Sequence, residues 1–79
     1  MPQYTFTGQS GFGRWTATAR GADEEDAAQR LARRKAGRKA GAYPTAVEGE
    51  TGWQRGWVLC TPDGPGETFR CIGMKGAAR

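Results

Sequence analysis

Polar and apolar residues alternate through residues 3–7 (QYTFT), which places Tyr4 and Phe6 on one side. A period of two marks a strand with one face buried. The alternation returns over 14–20 (RWTATAR), with Trp15, Ala17 and Ala19 on one face and Arg14, Thr16, Thr18 and Arg20 on the other. Between the two runs, GQSGFG (8–13) holds three glycines and reads as a turn, so the segment predicts an antiparallel hairpin. The period then changes. Ala27, Ala28, Leu31 and Ala32 form a narrow apolar stripe at helical spacing. Asp23 can cap the first turn, and Glu24, Glu25 and Asp26 complement the macrodipole there. Gly37, Gly41 and Pro44 end the helix. The predicted helix is 24–36, fraying toward 40, with Asp26 and Arg30 as an i,i+4 pair. Lys35 falls at the centre of the stripe, where its stem can pack while its ammonium reaches past the sheet.

The second half returns to strands over 43–50, 51–61 and 67–74, with the turn PDGPG at 62–66 and a tail from 75 expected to fray. The order is β-β-α-β-β-β. It predicts an α+β fold: a single antiparallel sheet of four to five strands with one α-helix packed on one face. Residues 1–79 make one domain, with no repeat and no low-complexity linker.

Composition sharpens the picture. A domain of this size buries only about 60% of its unfolded surface, so its core is thin. Eight aromatic residues carry much of that core, because strong aliphatics are few: Leu31, Val47, Val58, Leu59 and Ile72. The net charge of +4 argues against a DNA mimic and favours acidic partners, either nucleic acid or an acidic protein face. MPQYTFTG has neither a basic nor an apolar signal region, and no apolar run is long enough to span a bilayer. A cytoplasmic monomer without membrane contact is expected.

No catalytic set is visible. The chain has no histidine, and its acids cluster where helix capping explains them. GQSGFG is glycine-rich, but it lacks the Lys-Ser/Thr ending of a phosphate loop and does not lead into a helix. Cys60 and Cys71 lie eleven apart. Reduced, partly buried thiols are expected, with a cross-hairpin disulfide as the alternative. The absence of histidine and of a CxxC pair argues against metal, and no cofactor is expected.

Two surfaces are candidates for binding. The stretch RLARRKAGRKAG holds six basic residues in ten positions from Arg30 to Lys39 and no acidic one. A helix C-terminus uses two or three cations, whereas like charges at i,i+4 such as Arg30 and Arg34 repel. Arg30, Arg33, Arg34, Arg38 and Lys39 are therefore the leading partner-binding residues. A merely solvated face is the alternative. The second candidate is GWQRGW, in which Trp53, Arg55 and Trp57 share strand parity. Under the helix the tryptophans are core; exposed, Trp and Arg form a stacking or docking site. Arg14, Arg20, Arg55 and Arg70, with Trp57, are secondary candidates on the open sheet face or its edges.

The short first strand YTF, the acid-capped helix DEEDAAQRLARRKAG and the terminal hairpin WVLCTPDGPGETFRC resemble small phage-encoded anti-CRISPR proteins that act on type I (I-C and I-F) surveillance complexes. The resemblance implies a non-enzymatic inhibitor. It would bind the ribonucleoprotein at its backbone subunits and block target DNA binding, and it allows sequence-independent contact with double-stranded DNA. It transfers no individual residue. The rival expectations are a small nucleic-acid-binding or regulatory module, and a phage structural protein or antitoxin.

Overall fold

The structure is a computed structural model that describes residues 1–76. Strands β1 (Gln3–Ser10) and β2 (Gly13–Arg20) precede helix α1 (Glu24–Ala36). Strands β3 (Gly41–Gly49), β4 (Gly52–Thr61) and β5 (Gly64–Lys75) follow it. They form one antiparallel five-stranded sheet in the order β2-β1-β5-β4-β3, with the helix between β2 and β3 in sequence. This is the predicted α+β architecture.

The strands run further than the sequence pattern indicates, because the turns are tighter. Each hairpin turns through two residues, Gly11-Phe12, Glu50-Thr51 or Pro62-Asp63, and each pair is followed by a glycine with positive φ. These glycines are Gly13 (φ +120°), Gly52 (+125°) and Gly64 (+123°), a region that side chains rarely enter. In two of the hairpins a hydroxyl completes the turn. Ser10 accepts from the Phe12 N–H at 3.2 Å, and Thr61 accepts from the Asp63 N–H at 3.1 Å. GQSGFG is thus mostly strand, and so is the GPG of PDGPG. β1 extends well beyond YTF. Lys75, assigned above to a fraying tail, pairs with Gln3, and residues 77–79 lie outside the described residues.

The helix matches its predicted bounds. Asp23 accepts from the Asp26 N–H at 2.8 Å, which satisfies one orphan donor of the helix, and Asp26 accepts from the Ala22 N–H at 2.9 Å, which ties the preceding residue to the first turn. Gly37 closes the C-terminus by donating to Arg33 O at 2.8 Å. There is no fraying helix toward 40: Ala40 N–H donates to Gly37 O at 3.1 Å and shapes a tight turn that presents Arg38 and Lys39.

The helix straps both sheet edges. On the β3 edge, the Gln29 side chain accepts from Ala42 N–H at 2.9 Å and donates to Ala42 O, as a neighbouring strand would. On the β2 edge, the Arg34 guanidinium donates to Thr18 O. Beneath it, Ala27, Ala28, Leu31 and Ala32 bury fully against Tyr4, Phe6, Trp57, Leu59 and Phe69, with Trp15 packed at the margin of the same cluster. The alanine stripe brings the helix backbone close to the sheet, and the aromatics fill the interface.

Candidate functional site

Strand register divides the side chains cleanly. Tyr4, Phe6, Ala17, Ala19, Phe69 and Cys71 face the helix. The opposite face of β2-β1-β5 carries Gln3, Thr5, Thr7, Gln9, Arg14, Thr16, Thr18, Arg20, Thr68, Arg70 and Lys75. Those positions comprise five threonines, two glutamines, three arginines and one lysine, and no acid. No described element covers the middle of this face.

The predicted sites distribute as follows. Arg14, Arg20 and Arg70 lie on the open face, as expected. Arg55 does not. It shares parity with Trp57, whose indole N–H donates to Glu24 on the helix at 2.9 Å, so Arg55 projects on the helix side of the sheet. Trp57 is 2% exposed and belongs to the core, which removes it as a surface contact. The exposed tryptophan of the pair is Trp53, at 74%. Trp57 lies over the part of β4 that the helix covers, whereas Trp53 lies beyond it.

The basic stretch also separates into two groups. Arg30 pairs with Asp26 at 3.4 Å, Arg34 holds the β2 edge, and Lys35 sits over the Trp15 ring with its Nζ 4.1 Å from the centroid. Lys35 therefore does more than reach past the sheet. Its cation–π contact completes a stack in which Trp15 also leans on Phe69 at 5.9 Å and donates to Glu67 at 2.7 Å. The side chains of Arg33, Arg38 and Lys39 are exposed and make no hydrogen bond or ion pair to any described residue. Part of the charge surplus thus has a structural use. Arg20 meets Arg30 and Arg34 in a shallow groove at the β2 edge, which links the helix cations to the open face.

A cleft that the sequence pattern does not reveal lies on the open face. β5 is shared: its first half pairs with β4 up to Trp57–Phe69, and its second half pairs with β1. Freed from β5, the outer ends of β3 and β4 form an arm. Together the arm and the sheet enclose a cleft of about 290 Å³. Thr7, Gln9, Arg14, Thr68 and Arg70 line the sheet side and Val47 the arm side, while Glu48 and Trp53 border the cleft from positions that share the helix-side parity of Arg55.

The Asp26 carboxyl is held below its usual range, chiefly by the Ala22 N–H and also by Arg30. Burial pushes the Cys71 thiol up. Both cysteines are free and half-buried; Cys60 is in register with Pro65 and Cys71 with Phe6, so no cross-hairpin disulfide forms. Among the described residues, no three His, Cys, Asp or Glu side chains converge as metal donors would, and no helix is long and apolar enough to cross a membrane. The chain matches no family model, no curated protein and no solved structure.

Proposed function

We propose that this chain is a non-catalytic binding protein that holds nucleic acid, free or within a ribonucleoprotein, on a basic surface. That surface spans the open sheet face and the C-terminal end of α1. The observation that carries this is the open face itself: four cations set among threonine hydroxyls, with no acidic side chain. A face evolved only for solubility mixes both signs of charge. Arginine, lysine and short hydroxyls are the groups that contact phosphate without reading sequence. Arg33, Arg38 and Lys39 extend the surface around the β2 edge.

The resemblance to anti-CRISPR proteins gives the sharper form. In it the ribonucleoprotein is a type I surveillance complex in the cytoplasm of a bacterial host, and a monomer of this chain blocks its target DNA. The order of elements supports that form; the charge distribution supports the broader one.

The test uses two triple variants, R14Q/R20Q/R70Q and R33Q/R38Q/K39Q. Binding to labelled DNA and RNA is measured beside inhibition of target-DNA binding by a purified type I surveillance complex. Both triples should weaken binding while melting like the parent. Activity on the complex without binding to naked nucleic acid would retain the sharper form and remove direct contact. A parent that engages neither, even at low salt, would contradict both.

A further inference from the structure

We infer that the inner edge of β5, left open where β4 turns away, docks an extended strand of a partner protein with an apolar centre and acidic ends. This stands apart from the nucleic-acid reading. β4 and β5 pair only from Thr61–Gly64 to Trp57–Phe69. Beyond Phe69, β5 runs on to Lys75 with β1 on one side and, among the described residues, no strand on the other. Strand alternation fixes which backbone groups that leaves open. Arg34 bonds to Thr18 O from outside the sheet, so Thr18 turns its backbone away from β1. Its cross-strand neighbour Thr5 then turns its own toward β5. Thr5 pairs with Gly73 and Tyr4 with Met74, so Gly73 bonds to β1 while Met74 presents its N–H and C=O to the open side. Cys71, opposite Phe6, does the same, and Ile72 between them is the extra residue of a bulge.

The outer edges of the sheet are managed. Arg34 holds β2, Gln29 holds β3, and Pro44 removes a donor there. No described side chain bonds to the backbone of Cys71 or Met74, and the apolar side chains at this edge are half in water: Ile72 is 50% exposed and Met74 51%. An open edge with apolar surface is a template for another strand. Charge selects the occupant. Arg70 and Lys75 bracket the apolar pair, and residues 68–76 contain no acid. The acids at the helix start are engaged, Asp23 in the cap and Glu24 with the Trp57 indole. A second copy pairing antiparallel about Ile72–Gly73 would set Arg70 opposite Lys75 twice, and like charges across a pair are destabilising. An incoming strand with acids at its ends meets both cations, and its apolar centre meets Ile72 and Met74. Its main chain supplies the bonds and its side chains the choice, as in other strand additions. The bulge keeps the docked segment short.

The probes are three blocked hexapeptides with alternating valine and threonine at the centre. One has glutamate at both ends, one has lysine at both ends, and one repeats the glutamate peptide with N-methylated central amides. The parent should bind the glutamate peptide, the lysine peptide more weakly and the methylated peptide not at all. Hydrogen exchange at the Cys71 and Met74 amides should be fast in the free protein and slow on binding. Met74→Pro removes a donor that the fold does not use, so it should melt like the parent and weaken the glutamate peptide roughly five- to tenfold. Should the proline variant unfold, Lys75→Glu carries the test, and its preference between the charged peptides should shift toward lysine by roughly two- to fivefold. Protection of both amides without peptide, equal binding of the methylated peptide, or unchanged binding in folded Met74→Pro would overturn the site. So would a parent that binds no peptide at about 1 mM. A parent that dimerises with these amides protected would make a second copy the occupant and overturn the partner assignment. Met74 is uncharged and lies outside the open face, so nucleic-acid binding by Met74→Pro is unchanged and the two readings fail separately.

Discussion

Trp15 shows how much of this small core depends on individual contacts. Its ring lies across Gly8 on the neighbouring strand, so closely that a Cβ there would overlap the indole. Gly8→Ala should therefore destabilise the protein by about 1–3 kcal/mol, the usual effect of overpacking, read as a lower midpoint in chemical denaturation. A second residue-scale outcome concerns Asp26. Its folded pKa lies below its unfolded value, so the capping interaction contributes fully above the unfolded pKa and is lost as pH falls through the folded one. Melts from neutral pH downward should converge for the parent and Asp26→Asn in acid and separate at neutral pH. Parallel curves would contradict that assignment. The Asp23 cap was legible in the sequence because capping is local chemistry. The Lys35–Trp15 contact was only half legible: the helical wheel places Lys35 over the sheet, but the ring beneath it depends on strand pairing.

Helix α1 is the element that sets the architecture, and its bounds follow from caps, stripe and terminal glycine. What the sequence does not disclose is its reach across both edges, since Gln29 looks like any half-exposed polar residue until β3 lies beside it. Leu31→Ala should cost about 2–4 kcal/mol, because Leu31 is fully buried at the centre of the alanine stripe. Gln29→Ala should cost about 1–2 kcal/mol, since it releases both polar groups of Ala42, and hydrogen exchange at the Ala42 amide should accelerate. The hairpins were located correctly but drawn too loosely. Glycine-rich stretches suggested long turns, whereas Ser10-x-x-Gly13 and Thr61-x-x-Gly64 share one compact pattern of hydroxyl, two loop residues and glycine. That spacing was the signal that could have fixed the strand ends.

Across the whole molecule, the two sheet faces divide the labour. Alternation in β1 and β2 already separated Arg14 and Arg20 from Trp15, so much of the open face was readable in advance. Trp57 was left open between core and surface, and Arg55 was set on the open face or its edges, because strand parity says which residues share a face, not which face the helix covers. The cleft was unreadable, because it arises where β4 and β5 cease to pair, an event set by tertiary curvature. Nucleic acid held on the open face would neutralise its cations. The most direct measurement is single-strand affinity against salt between about 50 and 200 mM. Four phosphate contacts on a single strand predict a slope of log K on log salt near −3, or roughly a fiftyfold loss over that range. R14Q/R20Q/R70Q should flatten the slope by about 2. A parent whose affinity is independent of salt, or a triple variant with the parent's slope, would contradict it.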